Sequence, residues 1–229
     1  MKHADQPENL MPVRIKICGI TSIEDAVSAL NAGADALGLM FYPPSPRCVS
    51  LDAASAIVAC VPPTVATVGV FVDPEADFVR EAIARTGLNT LQFHGNETPE
   101  FCAQFGLKTI KAFRLRNRAA LDGVRAHSLS AWLLDSCVPG VPGGSGQTFN
   151  WDLAVEAKRW GNPVFLAGGL TPENVRDAVR RVAPFGVDVS SGVEASPGRK
   201  DPVRLRRFIA EARAGADESP MALGLPQRV

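Results

Sequence analysis

The chain has little of what metal, membrane and nucleic-acid proteins rely on. Its three histidines, His3, His94 and His127, are scattered and share no ligand spacing with the cysteines, so no metal site is read from them. The five cysteines, Cys18, Cys48, Cys60, Cys102 and Cys137, are odd in number and form no CxxC pair, which argues against a disulfide framework. No apolar run reaches membrane length and no signal-peptide core is present, so a reduced, cytoplasmic protein without a membrane partner is expected. Charge of one sign is also missing: 24 Lys and Arg balance 24 Asp and Glu with no long run of either. That excludes the footprint of a nucleic-acid binder and leaves a small molecule as the expected partner.

What is present is apolar content of 46% in 229 residues, enough for one large domain or two small ones. The organising stretch is Arg14-Ile-Lys-Ile-Cys-Gly-Ile-Thr21. Val13, Ile15 and Ile17 alternate with Arg14 and Lys16 as in a strand, Gly19 permits a turn, and Thr21-Ser-Ile-Glu24 reads as a capping box that starts a helix. Cys18 is thereby delivered to a strand end, where a thiol is either packing or chemistry.

The same unit recurs along the chain. Strands are expected at Asp35 to Phe41, Val65 to Val72, Thr90 to His94, Lys108 to Phe113, Ala131 to Asp135, Pro163 to Ala167 and Gly186 to Ser190. Helices are expected between them, opened by Asp73-Pro74, Thr98-Pro99, Thr171-Pro172 and Asp201-Pro202, and closed at Gly33, Gly87 and Gly106. About eight strands alternating with about eight helices is the count and order of a closed parallel (β/α)8 TIM barrel. An open doubly wound sheet is the alternative, but the first strand lacks the G-x-G-x-x-G turn. The barrel is expected over 13–213, with a polar tail at 1–12 and a second tail at 214–229.

In such a barrel every strand ends on one rim, so residues distant in sequence become neighbours. That rim is expected to carry Cys18, Arg47, Asp73, His94, Arg114, Asp135, Gly168-Gly169 and Ser190-Ser191-Gly192. The glycines before the Thr171-Pro172 helix, with a short extra helix from Ser190-Ser-Gly-Val-Glu194, suit a phosphate, although tight turns alone use glycine too. The loop Gly143-Gly-Ser-Gly-Gln147 fits either a ligand loop or a flexible linker. Cys18 and Asp135, a thiol and a carboxyl on opposite arcs, suit proton transfer to and from a substrate between them. As a base the thiol needs its pKa depressed by a cation such as Lys16, while Asp135 can equally serve as a loop cap or an arginine partner. His94 is read as a hydrogen-bonding strand-end group more readily than as the base, and Cys48, Cys60 and Cys102 as packing.

The blocks Lys16-Ile-Cys-Gly-Ile-Thr21, Phe41-Tyr-Pro-Pro-Ser-Pro-Arg47, Val68-Gly-Val-Phe71, Leu91-Gln-Phe-His-Gly95, Leu133-Leu-Asp-Ser136, Gly144-Ser-Gly-Gln-Thr-Phe149, Leu166-Ala-Gly-Gly-Leu170 and Val187-Asp-Val-Ser-Ser-Gly-Val-Glu194 occur in this order. Through them the chain closely resembles the phosphoribosylanthranilate isomerase family of tryptophan biosynthesis, from about Lys16 to Asp201. The resemblance implies an Amadori rearrangement of N-(5-phosphoribosyl)anthranilate with no cofactor and no metal. It implies Cys18 as general base at the ribose C2, Asp135 as general acid at the ring oxygen, and Arg47 as partner of the anthranilate carboxylate. Gly144, Ser145, Gly146, Gly168, Gly169, Ser191 and Gly192 match phosphate-holding positions, and His94 and Asp188 match positions beside the substrate. Asn150 and Gln147 depart from the aspartate and lysine common there. The alternatives are a barrel resembling indole-glycerol-phosphate synthase, which relies on a lysine acid where this chain has Cys18, and a silent barrel that binds a phosphorylated metabolite. Oligomeric state is not legible.

Overall fold

The computed structural model describes residues 12–115, 117–125, 129–135 and 151–219. The first half of the chain runs β1 (Arg14–Cys18), α1 (Ile23–Ala32), β2 (Ala36–Met40), α2 (Leu51–Ala59), β3 (Ala66–Phe71), α3 (Ala76–Thr86), β4 (Thr90–Phe93) and α4 (Pro99–Ala103). The second runs β5 (Lys108–Arg114), α5 (Ala120–Arg125), β6 (Ala131–Asp135), α6 (Trp151–Lys158), β7 (Val164–Ala167), α7 (Val175–Val182) and β8 (Gly186–Val189). A 3-10 turn (Ser191–Val193), a short hairpin of β9 (Glu194–Ser196) and β10 (Arg199–Lys200), and α8 (Pro202–Asp217) complete it. Strands β1 to β8 pair in sequence order, all parallel, and β8 closes on β1. The fold is the expected (β/α)8 barrel, and α8 carries helix past Ala214, where a tail is read from the sequence. No helix among the described residues is long and apolar enough to cross a membrane.

Closure splits each strand's side chains between two environments. Ile15 and Ile17 face outward into the layer under the helices, fully buried with Leu37, Leu39 and Phe208. Each such side chain contributes about 1.5–3 kcal/mol of transfer free energy. Cys18, Val68, Val70, Ala112, Leu133 and Phe165 form a second, interior cluster. The polar half of the β1 alternation therefore includes Lys16, wholly buried although its residue type is usually solvated.

Several local expectations change. The cap of α1 is Ser22, which accepts from the Asp25 amide at 3.1 Å, because Thr21 instead donates its hydroxyl to the Gly198 carbonyl at 2.5 Å. Asp73 does not open α3, whose N-cap position is Glu75. With φ of 45°, Asp73 accepts from the Asn96 amide at 2.6 Å and donates its own amide to Glu97 at 2.8 Å, tying the β3 and β4 loops together. Helix α7 begins at Val175 after a Thr171 to Asn174 turn, in which the Thr171 amide donates to Asn174 at 2.8 Å. Thr98 and Asp201 cap α4 and α8 as expected. Cys102 is buried, whereas Cys48 and Cys60 are exposed and do not pack in the core.

Candidate active site

At the end of β1, Lys16 and Cys18 are two residues apart and so share the interior face. Across the closing pair of strands, Lys16 lies in register with Asp188 of β8, and its ammonium donates to Asp188 Oδ1 at 2.7 Å. The Lys16 ammonium also lies close enough to Cys18 for each group's charge to act on the other. Cys18 is in register with Gly38 of β2, and a Cβ at Gly38 would sit 2.8 Å from Cys18 Sγ and 3.2 Å from Lys16 Nζ. Glycine is what leaves room there for both groups.

Burial opposes the charged form of Lys16, but Asp188 and Cys18 outweigh it and hold the ammonium above the ordinary lysine range. Burial is also the largest influence on Cys18 and pushes the thiol up; Lys16 and Lys200 pull the other way without prevailing. The cation that the sequence reading invokes is in place, yet the expected depression is not, because desolvation outweighs it in the unliganded barrel.

The loop after β2 brings Arg47 to this rim. Its stem crosses Gly19, where a Cβ would come within 2.5 Å of Arg47 Cδ. The guanidinium is held by Glu194, donating from Nε at 2.8 Å and from Nη2 at 2.6 Å. Glu194 also accepts from Lys200 Nζ at 2.9 Å, and Lys200 further donates to the carbonyls of Cys18 at 2.7 Å and Ser190 at 3.2 Å. Burial alone would raise the Glu194 pKa, but hydrogen bonds from Arg47 and Lys200 hold it below the usual carboxylate range. No role for Glu194 or Lys200 is read from the sequence. Glu194 stands in a recognised block, while Lys200 has no signal, since the β9–β10 hairpin that folds it inward is not legible.

Asp135 ends β6, in register with Arg114 of β5 and Ala167 of β7. His94, just after β4, places Nε2 3.4 Å from Asp135 Oδ2. That is ion-pair distance only: its geometry is not that of a hydrogen bond, and His94 Nε2 makes none among the described residues. Strands β7 and β8 separate this pair from Cys18, so the thiol and the carboxyl stand on different arcs of one rim.

The glycine loops lie between them. Gly168 and Gly169 have φ of 85° and 63°, and the Asn174 amide group donates to the Gly169 carbonyl at 2.9 Å. Among the described residues, its chain neighbours aside, no atom lies within 4 Å of the place a Gly169 Cβ would take. A Cβ at Gly192 would be 1.9 Å from the Leu170 carbonyl oxygen, so the loops after β7 and β8 touch backbone to backbone. Ser191 and Gly192 open the expected short helix as a 3-10 turn, and the buried Ser190 hydroxyl has no hydrogen-bond partner among the described residues. Two adjacent backbone turns with a spare hydroxyl form a suitable anion cradle. Gly144, Ser145, Gly146 and Cys137 lie outside the described residues.

Contacts thus join Cys18, Arg47 and Asp188 through Lys16, Glu194 and Lys200, and join His94 to Asp135. Among the described residues no three His, Cys, Asp or Glu side chains gather as metal ligands. A groove of about 430 Å3 at the opposite rim, lined by Thr64, Asn89 and Lys108 among others, carries none of these groups.

Residues 15–211 match the family described as N-(5'phosphoribosyl)anthranilate (PRA) isomerase. N-(5'-phosphoribosyl)anthranilate isomerase of Geobacter metallireducens is 52% identical over 202 residues, covering 88% of this chain and 100% of that protein. The enzyme of the same name from Geobacter sulfurreducens is 52% identical over 88% of this chain and 98% of its own length. Among solved structures, phosphoribosyl anthranilate isomerase from Thermotoga maritima superposes with a TM-score of 0.81 at 42% identity, covering 87% of this chain and 98% of that one. A phosphoribosyl anthranilate isomerase in complex with reduced 1-(o-carboxyphenylamino)-1-deoxyribulose 5-phosphate superposes at 0.78 with 40% identity and the same coverage.

Proposed function

The chain belongs to the N-(5'-phosphoribosyl)anthranilate isomerase family, and we propose that Cys18 and Asp135 carry the two proton transfers of its reaction. That reaction is the Amadori isomerisation of N-(5-phosphoribosyl)anthranilate to 1-(2-carboxyphenylamino)-1-deoxyribulose 5-phosphate in tryptophan biosynthesis. The observation that carries the assignment is the interior position of the Cys18 thiol, set between the Lys16–Asp188 pair and the Arg47–Glu194 pair at the rim.

Asp135 donates a proton to the ring oxygen as the C1–O bond breaks, leaving an iminium ion at C1 conjugated to the anthranilate nitrogen. The iminium acidifies the C2 proton, which the Cys18 thiolate removes to give an enolamine. Tautomerisation yields the ketone, and a proton returns to Asp135 as one leaves Cys18, so the isomerisation consumes none. Lys16, kept as an ammonium beside the sulfur, stabilises the thiolate that burial disfavours. Asp188 holds that ammonium in place, and His94, 3.4 Å from Asp135, stands beside the substrate. Arg47 meets the anthranilate carboxylate as a planar fork. Phosphate sits on the turns at Gly168, Gly169, Ser191 and Gly192, with Gly144, Ser145 and Gly146 closing over it. We place the catalytic unit in the barrel that starts at residue 13, in a reducing cytoplasm, where the described cysteines stay as free thiols.

The test is to mix purified protein with enzymatically generated phosphoribosylanthranilate and follow the loss of its fluorescence. A positioned acid or base typically supplies about 10²–10⁴-fold, so Cys18→Ser and Asp135→Asn should each lose at least about that factor in kcat while still binding substrate. Near-wild-type turnover by Cys18→Ser would remove the thiol from the mechanism, and binding without turnover by the wild-type chain would make it a silent phosphometabolite binder.

A further inference from the structure

The Arg47 guanidinium has two edges that can each take a carboxylate. Glu194 occupies the Nε and Nη2 edge in a fork, at 2.8 and 2.6 Å. The end-on edge, formed by Nη1 and the second Nη2 hydrogen, makes no hydrogen bond among the described residues. Arg47 is close enough to Cys18 for the thiolate charge to act on it, so a carboxylate taken on that end-on edge would share the site of the thiol. Glu194 in turn cannot swing away readily. Its other interaction is with Lys200, whose buried ammonium is anchored on the Cys18 and Ser190 carbonyls. The arrangement is a chain of fixed groups running from the β1 and β8 backbone through Lys200 and Glu194 to Arg47.

We propose that Glu194, clamped by Lys200, is a positioning residue that locks the Arg47 guanidinium side-on and so aims its free edge at the substrate's carboxylate. This rests on the reading of Arg47 as the carboxylate's partner. An arginine side chain released from such a fork regains much of its rotamer freedom, and each later bidentate contact must order it again. Glu194 therefore contributes to discrimination between substrates that carry the ortho carboxylate and those that lack it.

The experiment compares kcat/KM for phosphoribosylanthranilate with that for N-(5-phosphoribosyl)aniline, which keeps the phosphate, ribose and ring and lacks only the carboxylate. The ratio of the two should fall about tenfold in Glu194→Gln, the scale set by freeing one arginine, with the loss in KM more than in kcat. In an Arg47→Ala background the ratio is already low, and adding Glu194→Gln should lower it no further. If Arg47→Ala leaves the ratio at its wild-type value, the Arg47 reading falls and this inference with it. If Arg47→Ala lowers the ratio and Glu194→Gln does not, only the inference about Glu194 falls. Should Glu194→Gln fail to fold, Glu194→Asp keeps the charge but is one carbon too short to reach both Arg47 and Lys200. A fall in the ratio supports the clamp, and an unchanged ratio overturns it.

Discussion

Gly38→Ala tests the geometry of the thiol without replacing any group that does chemistry. The added methyl would lie 2.8 Å from Cys18 Sγ, 3.1 Å from Cys18 Cα and 3.2 Å from Lys16 Nζ. The first distance is well inside van der Waals contact, and Cys18 sits directly opposite in register, so the sulfur has to turn away from the place Gly38 leaves for it. Overpacking of this kind costs about 1–3 kcal/mol, and each kcal/mol lowers Tm by about 2–4 °C in a protein of this size. The barrel should therefore remain folded at assay temperature. Displacing a catalytic atom by about 1 Å costs about 10²-fold, so kcat should fall by that order. KM should change little, because the glycine turns proposed for phosphate are on β7 and β8, away from β2. Fluorescence decay of phosphoribosylanthranilate at saturating substrate gives kcat, and a thermal melt gives the stability. A folded Gly38→Ala protein with wild-type kcat would refute the thiol's placement as the base.

The pH profile of kcat/KM should rise along a single ionisation lying above the ordinary thiol value of about 8.5, since burial holds Cys18 up in the free enzyme. That limb should vanish in Cys18→Ser and persist in His94→Asn, and the reverse would make His94 the base. The same shift has a sign for stability: a thiol raised in the folded state contributes fully below its unfolded pKa. That contribution is lost as pH rises through the folded value, so the wild-type Tm should drop on the alkaline side more than that of Cys18→Ser. At the proposed anion cradle, Gly192→Ala would press a methyl to 1.9 Å from the Leu170 carbonyl oxygen, and Gly169→Val would put a branched side chain on the turn proposed for phosphate. Both should raise KM by at least about tenfold with a smaller change in kcat; a folded variant with unchanged KM moves the phosphate elsewhere.

Much of this molecule follows from local patterns. Alternation in β1, the near-continuous apolar run of β3 and the Pro-opened helices α4 and α8 give the order of elements, and that order closes as a barrel. Once the barrel is assumed, Cys18, His94 and Asp135 fall on one rim by counting strand ends, and the structure has β1 and β6 end at Cys18 and Asp135. What one sequence does not carry is the direction each interior side chain takes and what meets it there. In an open doubly wound sheet helices would cover the polar half of β1, but in a closed barrel it faces the lumen, so Lys16 becomes a buried ammonium paired with Asp188 across 172 positions. The raised thiol pKa depends on that enclosure and not on any neighbour in sequence. The N-cap positions of α1 and α3 went to Ser22 and Glu75 and not to the Thr21 and Asp73 that the local rules favour, because those two are engaged by Gly198 and Asn96, brought near only by the fold. Glu194 and Lys200 reach Arg47 and Cys18 because a two-stranded hairpin turns back over the rim, a long-range contact that residue periodicity does not encode.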